Sequence, residues 1–111
     1  MTHESDNTVR DQRLAAIIAN ELPLILNAAD DARLQLIRIL RVDAKTGGRN
    51  FVAFYGPDLT EPKAISIDQA DLLLANAHGF IRSELAAVLN LKRVPQVSFV
   101  PDPTQWRRPS A

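Results

Sequence analysis

The sequence predicts a single α+β domain whose elements follow the order helix, strand, strand, helix, helix, strand. Its length of 111 residues is that of one domain. Helical periodicity occupies two stretches, and between them two short runs rich in β-branched and aromatic residues flank a pair of glycines. A hydrophobic fraction of 46% suffices for one core. The chain has no cysteine, which excludes a disulfide framework and a cysteine-ligated metal site.

The first helix is predicted to run from Thr8 to Ala29. Four apolar residues recur at spacings of four, four and three, which places them on one helix face: Leu14, Ile18, Leu22 and Ile25. Pro23 lies within this pattern, and a proline in a helix interior costs about 3 kcal/mol. We therefore expect the helix to bend or split near residues 19–23.

A β-hairpin is predicted next. Leu34 to Val42 has an arginine spacing that also fits a short helix, but its β-branched residues favour a strand. Gly47-Gly48 supplies the reversal, and Phe51 to Tyr55 forms the second strand. Gly56-Pro57 is expected to close the hairpin.

The second half of the chain predicts a helical crossover and a last strand. Ser66 and Gln69 have the spacing of a capping box that opens a helix. Gly79 is expected to interrupt the helix, and residues 80–89 resume the periodicity. Gln96 to Val100 forms the third strand. Because a long crossover precedes it, this strand is expected to pair parallel to an earlier one, with the helices on one face of the sheet.

Neither a targeting sequence nor a membrane-spanning segment is predicted from the residue pattern. Residues 1–8 are expected to be a flexible N-terminus, residues 9–101 the domain, and residues 102–111 a short C-terminal tail. The first ten residues contain acids and no apolar run, so a signal peptide is not predicted. The longest apolar run, Leu14 to Ala19, is far shorter than a membrane span.

Charge is unevenly distributed along a chain whose formal net charge is zero. The balance is −4 over residues 1–31, +4 over 32–49, −3 over 50–79 and +3 over 80–111. RNA binding normally needs a basic surface, because phosphates supply most of the attraction. A neutral protein has such a surface if its two basic segments lie side by side; a solvated surface of mixed charge is the alternative.

Catalytic motifs are not found in the sequence. His3 and His78 lack a metal-ligand spacing, and no nucleophile elbow, P-loop or Rossmann glycine pattern occurs. Asp68 and Asp71 lie one turn apart, where acids ordinarily complement the helix dipole. We therefore predict a protein that is not an enzyme and has neither a metal nor a cofactor.

Three segments resemble the ribosome-binding factor A family. The stretch Ala77-His78-Gly79-Phe80-Ile81-Arg82-Ser83-Glu84-Leu85, with Leu91 to Phe99, is similar to the family's signature region. There an Ala-x-Gly kink between two helices takes the place of the GxxG loop of KH RNA-binding domains. Asp31-Ala32-Arg33-Leu34 is similar to the Asp-Pro-Arg-Leu that leads into the family's first strand. The resemblance spans residues 9–101 and implies a type II KH-like fold.

This resemblance implies an assembly factor that binds the small ribosomal subunit and its rRNA during late maturation and pre-rRNA processing, often in connection with growth in the cold. It also implies a cytoplasmic monomer whose partners include other assembly factors. Two alternatives stay open. One is a KH-like protein-interaction module with weak RNA binding. The other is a helix-turn-helix DNA binder, because Ala75, Gly79 and Leu85 have the required spacing.

The candidate RNA-binding residues come from the kink and the two basic segments. They are Arg38, Arg41, Lys45, Arg49, Ala77, His78, Gly79, Arg82, Lys92 and Arg93. Arg38 and Arg41 are expected on opposite faces of a regular strand, since side chains alternate. Arg82 is placed to meet a phosphate bidentately, and a solvated arginine is the alternative.

The aromatic residues divide into core and stacking candidates. The phenylalanines are predicted to lie in the core: Phe51, Phe54, Phe80 and Phe99. Tyr55 and Trp106 are the candidates for stacking on bases.

Overall fold

The described chain has three α-helices and a three-stranded mixed sheet, in the predicted order. The structure is a computed structural model that describes residues 2–45, 49–58, 60 and 65–106. The central strand β2 (Asn50–Pro57) pairs antiparallel with β1 (Ile37–Ala44) and parallel with β3 (Gln96–Pro101). The α+β prediction and the parallel pairing of the last strand are confirmed.

Helix α1 (Thr2–Ala28) buries the face that its apolar spacing predicts. Ile18, Leu22 and Ile25 are at most 4% exposed. The helix begins at Thr2 and not at Thr8 as predicted. It continues through Pro23 without a break, so the expected split does not occur, and a bend there remains a prediction. Pro23 is exposed, so water can replace the backbone hydrogen bond that its ring eliminates.

A short 3-10 helix (Ala32–Leu36) takes the place of the beginning of the predicted first strand. The Asp31 carboxylate accepts a hydrogen bond from the backbone N–H of Arg33 at 3.0 Å and from the Arg33 guanidinium at 2.7 Å. These contacts lower the pKa of Asp31. Leu34 is 2% exposed and packs in the core. The predicted strand start at Leu34 was wrong, because this capping holds the chain in a tight turn until Ile37.

A β-bulge interrupts the alternation of side chains in β1. The pairing register shifts between Ile39 and Arg41, so Leu40 is an extra residue on this strand. Beyond the bulge the alternation resumes one residue out of phase. Arg38 and Arg41 therefore share the face that points away from the helices. The prediction that they lie on opposite faces was wrong, because it assumed a regular strand.

Strand β2 carries the centre of the core. Phe51, Ala53 and Tyr55 face the helices, and all three are fully buried. Gly56 and Pro57 do not close the hairpin as expected. Both remain in the strand, where Pro57 pairs with the first residue of β1.

Helix α2 (Ile67–Asn76) begins with the predicted capping box. The Ser66 side chain accepts a hydrogen bond from the Gln69 backbone N–H at 3.2 Å, and the Ser66 N–H donates to the Gln69 side chain at 3.1 Å. These reciprocal bonds satisfy two donors that a helix N-terminus otherwise leaves unpaired.

Helices α2 and α3 (His78–Leu89) meet at Ala77 with a bend of 60°. The Ala77 N–H donates to α2 and its carbonyl accepts from Ile81 of α3. Gly79 lies inside the first turn of α3, so the prediction that Gly79 interrupts the helix was wrong by two residues. None of the described helices is by itself long and apolar enough to cross a membrane; α2 and α3 meet that criterion only as this bent pair.

The segment after β3 folds against the end of the sheet. The backbone N–H of Asp102 and the indole N–H of Trp106 both donate to the Tyr55 carbonyl, at 2.9 and 3.2 Å. The Trp106 and Tyr55 rings meet edge to face with centroids 6.0 Å apart. Gln105 covers Gly56, where an added Cβ would come within 2.9 Å of it. The described part of the C-terminal tail is thus packed on the domain.

Candidate nucleic-acid interface

The hairpin end of the sheet brings the two basic segments of the sequence together. The Lys45 N–H donates to the Asn50 carbonyl at 2.8 Å, and the Gln96 N–H donates to the Arg49 carbonyl at 2.9 Å. Arg93 precedes Gln96 by three residues, which places their Cα atoms within about 11 Å of each other. We call this surface the basic end. It is formed by four exposed cationic side chains: Lys45, Arg49, Lys92 and Arg93.

A narrow cleft between α3 and β3 continues from the basic end. His78 and Arg82 line its helical wall and are exposed, and Gln96 lines its strand wall. Gln96 thus belongs to both the cleft and the hydrogen bond that anchors the basic end. The cleft adds a further guanidinium to the same side of the molecule.

The N-terminus of α3 opens at the kink without a side-chain cap. Ala77 occupies the capping position and has no side-chain oxygen, so the positive end of the helix dipole is not satisfied there by a capping side chain. A Cβ added at Gly79 would meet no atom within 4 Å. Packing within the described chain therefore does not require a glycine at this position, and a phosphate has room to approach the backbone.

Arg38 and Arg41 do not join the basic end. Arg38 lies at the other end of β1, roughly 20–24 Å from Lys45 along the strand. Arg41 already has two partners: its Nε is 3.2 Å from the Asp43 carboxylate, and its guanidinium lies 4.1 Å from the centre of the Phe54 ring. The structure therefore divides the predicted binding residues into two groups.

The opposite end of the sheet is acidic. Asp58 follows β2, Asp102 follows β3, and Asp31 precedes β1. Hydrogen bonds from Thr60 lower the pKa of Asp58, and the charge of Arg38 lowers it further. Hydrogen bonds from Thr104 lower the pKa of Asp102 in the same way, and there the added charge is that of Arg41. This end also carries Arg33 and Arg38, and most of the 13 acidic residues of the chain lie elsewhere, so the two ends differ in charge but do not by themselves account for the zero net charge. In the described part of the chain, no three potential metal-ligating side chains are grouped to hold an ion.

The aromatic residues do not follow the predicted division. Tyr55 is fully buried, so the prediction that it stacks on bases was wrong. Phe80 is 38% exposed and is not a core residue as predicted, because it lies off the helix face that buries Ile81. Phe51 is buried as expected, and Trp106 is half-buried against the core. The one sequence signal for Phe80 is its position next to Ile81, since adjacent helical residues point in different directions.

The helix pair does not have helix-turn-helix geometry. That motif joins its helices through a turn of three or four residues, whereas α2 and α3 are joined at the single residue Ala77. Ile81, which would lie near the base-reading edge of such a motif, is only 3% exposed. The structure therefore does not support the DNA-binding alternative.

Comparison with known sequences finds one family. The family model described as ribosome-binding factor A matches residues 10–107. Ribosome-binding factor A of Limosilactobacillus reuteri is 35% identical over 96 residues, which cover 86% of this chain and 79% of that protein. Its counterpart in Prochlorococcus marinus is 29% identical over 109 residues, with 93% and 84% covered.

Solved structures share the fold. The crystal structure of ribosome-binding factor A from Thermus thermophilus superposes with a TM-score of 0.67 at 22% identity, covering 82% of this chain and 93% of that one. A homology model of the Thermus protein, fitted into a cryo-electron microscopy map of its complex with the 30S subunit, gives a TM-score of 0.54 over 82% of this chain and 89% of that one. The fold is thus the KH-like fold of these structures, and the chain belongs to the ribosome-binding factor A family.

Proposed function

We propose that this protein binds the small ribosomal subunit through rRNA during late maturation, using the basic end and the kink. The hydrogen bond between the Arg49 carbonyl and the Gln96 N–H carries the proposal, because it joins the two basic segments into one surface. Family membership supports it, as does the docking of the Thermus protein on the 30S subunit.

The proposed mechanism is positional and needs no covalent chemistry. The four cations of the basic end and Arg82 contact phosphates, and the uncapped start of α3 accepts another phosphate beside Gly79. The acidic end repels the RNA backbone. A protein with no net charge therefore binds in one orientation, with its basic end on rRNA.

Co-sedimentation with isolated small and large subunits across a salt series tests this proposal. The test variant is Arg82→Ala with Arg93→Ala. The matched control is Arg33→Ala with Arg38→Ala, which removes the same charge at the acidic end. Each lost phosphate contact makes the plot of log affinity against log salt concentration shallower, by about 0.7–0.9 in the magnitude of its slope. The test variant should therefore lose about 1.4–1.8 from that slope, and the control should bind the small subunit as the wild type does.

Two results would overturn the proposal. Failure of the wild type to bind either subunit at low salt would exclude a ribosomal partner. A test variant and a control that both keep the salt slope of the wild type would favour the protein-interaction module with weak RNA binding.

The cellular role extends this proposal. We propose that the protein acts as a monomer in the cytoplasm, alongside other assembly factors, and supports pre-rRNA processing during growth in the cold. Cells lacking it should accumulate unprocessed small-subunit rRNA, most strongly at low temperature, and Arg82→Ala with Arg93→Ala should not restore processing. Normal processing in the deleted strain at low temperature would contradict this role.

A further inference from the structure

The outer face of the sheet points away from the helices. Strand pairing places Arg41 opposite Phe54 and Phe54 opposite Val100, so these side chains form a row across the three strands. Arg41 and Val100 are exposed, and Phe54 is half-buried. Among the described residues, the C-terminal turn approaches this face at a different place, where Gln105 covers Gly56.

The guanidinium of Arg41 lies over the Phe54 ring on this face. Its Cζ atom is 4.1 Å from the centre of the ring, and its Nε donates to the Asp43 carboxylate at 3.2 Å. The Arg41 side chain is nevertheless 57% exposed. The guanidinium therefore remains accessible to solvent, while the ring and the carboxylate restrict its position.

We propose that the Arg41–Phe54 pair is a stacking platform for one unpaired nucleobase of the bound RNA. Unpaired bases in RNA complexes stack on guanidinium planes and aromatic rings. Asp43 binds Arg41, and Arg41 is close enough to lower the pKa of Asp102. These carboxylates disfavour a phosphate at this point, so the group that fits the platform is a base and not the backbone. The Asp43 carboxylate and the Ser98 hydroxyl lie in the neighbouring row and can accept hydrogen bonds from a base edge.

This inference rests on the proposed function, because the platform adjoins the basic end. Arg41 in β1 lies four residues before Lys45, which follows the strand directly, so the two residues are roughly 13 Å apart. A single strand whose phosphates contact the basic end can therefore place a following base on Arg41. The platform adds a base contact, whereas the basic end contacts phosphates.

Two conservative substitutions and one matched control test the platform. Arg41→Lys keeps the charge and removes the plane, and Phe54→Leu keeps an apolar side chain and removes the ring. The control is Arg38→Lys, which lies on the same face and has no ring stacked on it among the described residues. Binding is measured to small subunits and to single-stranded RNA of about ten nucleotides, each across a salt series. Thermal unfolding confirms that each variant is folded.

We expect both test variants to lose about fivefold or more in RNA affinity with an unchanged salt slope. The control should bind as the wild type does. Adding RNA should also shift the NMR signal of the Arg41 Nε–H upfield through the ring current of the stacked base.

The outcomes separate this inference from the proposed function. If the wild type does not bind small subunits, the proposed function fails and the platform loses its basis. If the wild type binds and both test variants bind equally well, only the platform is refuted. If the test variants lose subunit binding but keep their affinity for free RNA, the face contacts a ribosomal protein and the inference is overturned.

Discussion

Replacing Gly79 by alanine separates the role of this residue in the fold from its role in binding. Gly79 lies in the first turn of α3, an added Cβ would meet no atom within 4 Å, and its φ is not positive. Alanine should therefore fit without strain. It should stabilise the protein by about 0.4–1 kcal/mol, because it restricts the unfolded chain. For a domain of this size, the unfolding midpoint should rise by about 2–6 °C.

The same methyl group should weaken RNA binding if a phosphate approaches the start of α3. Pushing the phosphate away costs a charge-assisted hydrogen bond to a backbone N–H, worth about 1.5–3 kcal/mol. The expected loss of affinity for the small subunit is therefore about 10- to 150-fold. A stabilised variant that binds less tightly is an outcome that a purely structural glycine cannot produce.

The assay combines thermal unfolding with co-sedimentation on small subunits. The control is Ser83→Ala, which raises helix propensity in the same helix and adds no atom. It should be slightly more stable and bind normally. Wild-type binding by Gly79→Ala would refute the close approach of RNA at the kink, and a lowered unfolding midpoint would refute the open space beside Gly79.

Four further predictions concern stability. Tyr55→Phe should raise the free energy of unfolding by about 1 kcal/mol, because the buried Tyr55 hydroxyl has no hydrogen-bond partner among the described residues. A lower free energy of unfolding in a urea titration would contradict this. Trp106→Ala should lower the free energy of unfolding by about 2 kcal/mol, since the half-buried indole packs on Tyr55 and donates to its carbonyl. A variant as stable as the wild type would show that this contact does not stabilise the domain. The lowered pKa values of Asp31, Asp58 and Asp102 stabilise the fold when these groups are ionised, so the unfolding midpoint should fall as the pH drops below about 4. Burial and the nearby charge of Asp71 raise the pKa of Tyr55, so the tyrosine ionises first in the unfolded chain and stability should fall again above about pH 10. An unfolding midpoint that does not change below about pH 4 would refute the role of the three aspartates, and one that does not change above about pH 10 would refute that of Tyr55.

The features predicted correctly from the sequence depend on near neighbours in the chain or, for the pairing of β3, on the length of a connection. The capping box at Ser66 needs only a partner three residues away, and the buried face of α1 follows from the spacing of Ile18, Leu22 and Ile25. The parallel pairing of β3 follows from the length of the crossover before it. The kink motif was sufficient to identify the family, because its residues are contiguous in the chain.

The features that the sequence left open or predicted wrongly depend on residues far apart in the chain. The bulge at Leu40 depends on how β1 pairs with β2, and it places Arg38 and Arg41 on one face. The burial of Tyr55 depends on helices that pack over β2.

The sequence by itself determined the order of the elements, the family and the presence of two basic segments. The tertiary structure decided that Lys45 and Arg49 lie beside the segment before β3, that Asp58 and Asp102 lie at the opposite end, and that Arg41 is stacked on Phe54. The physical reason is the range of the interactions. Helix caps and periodicity act within a few residues, whereas the position of a charge on the surface is set by strand register, which only the folded chain establishes.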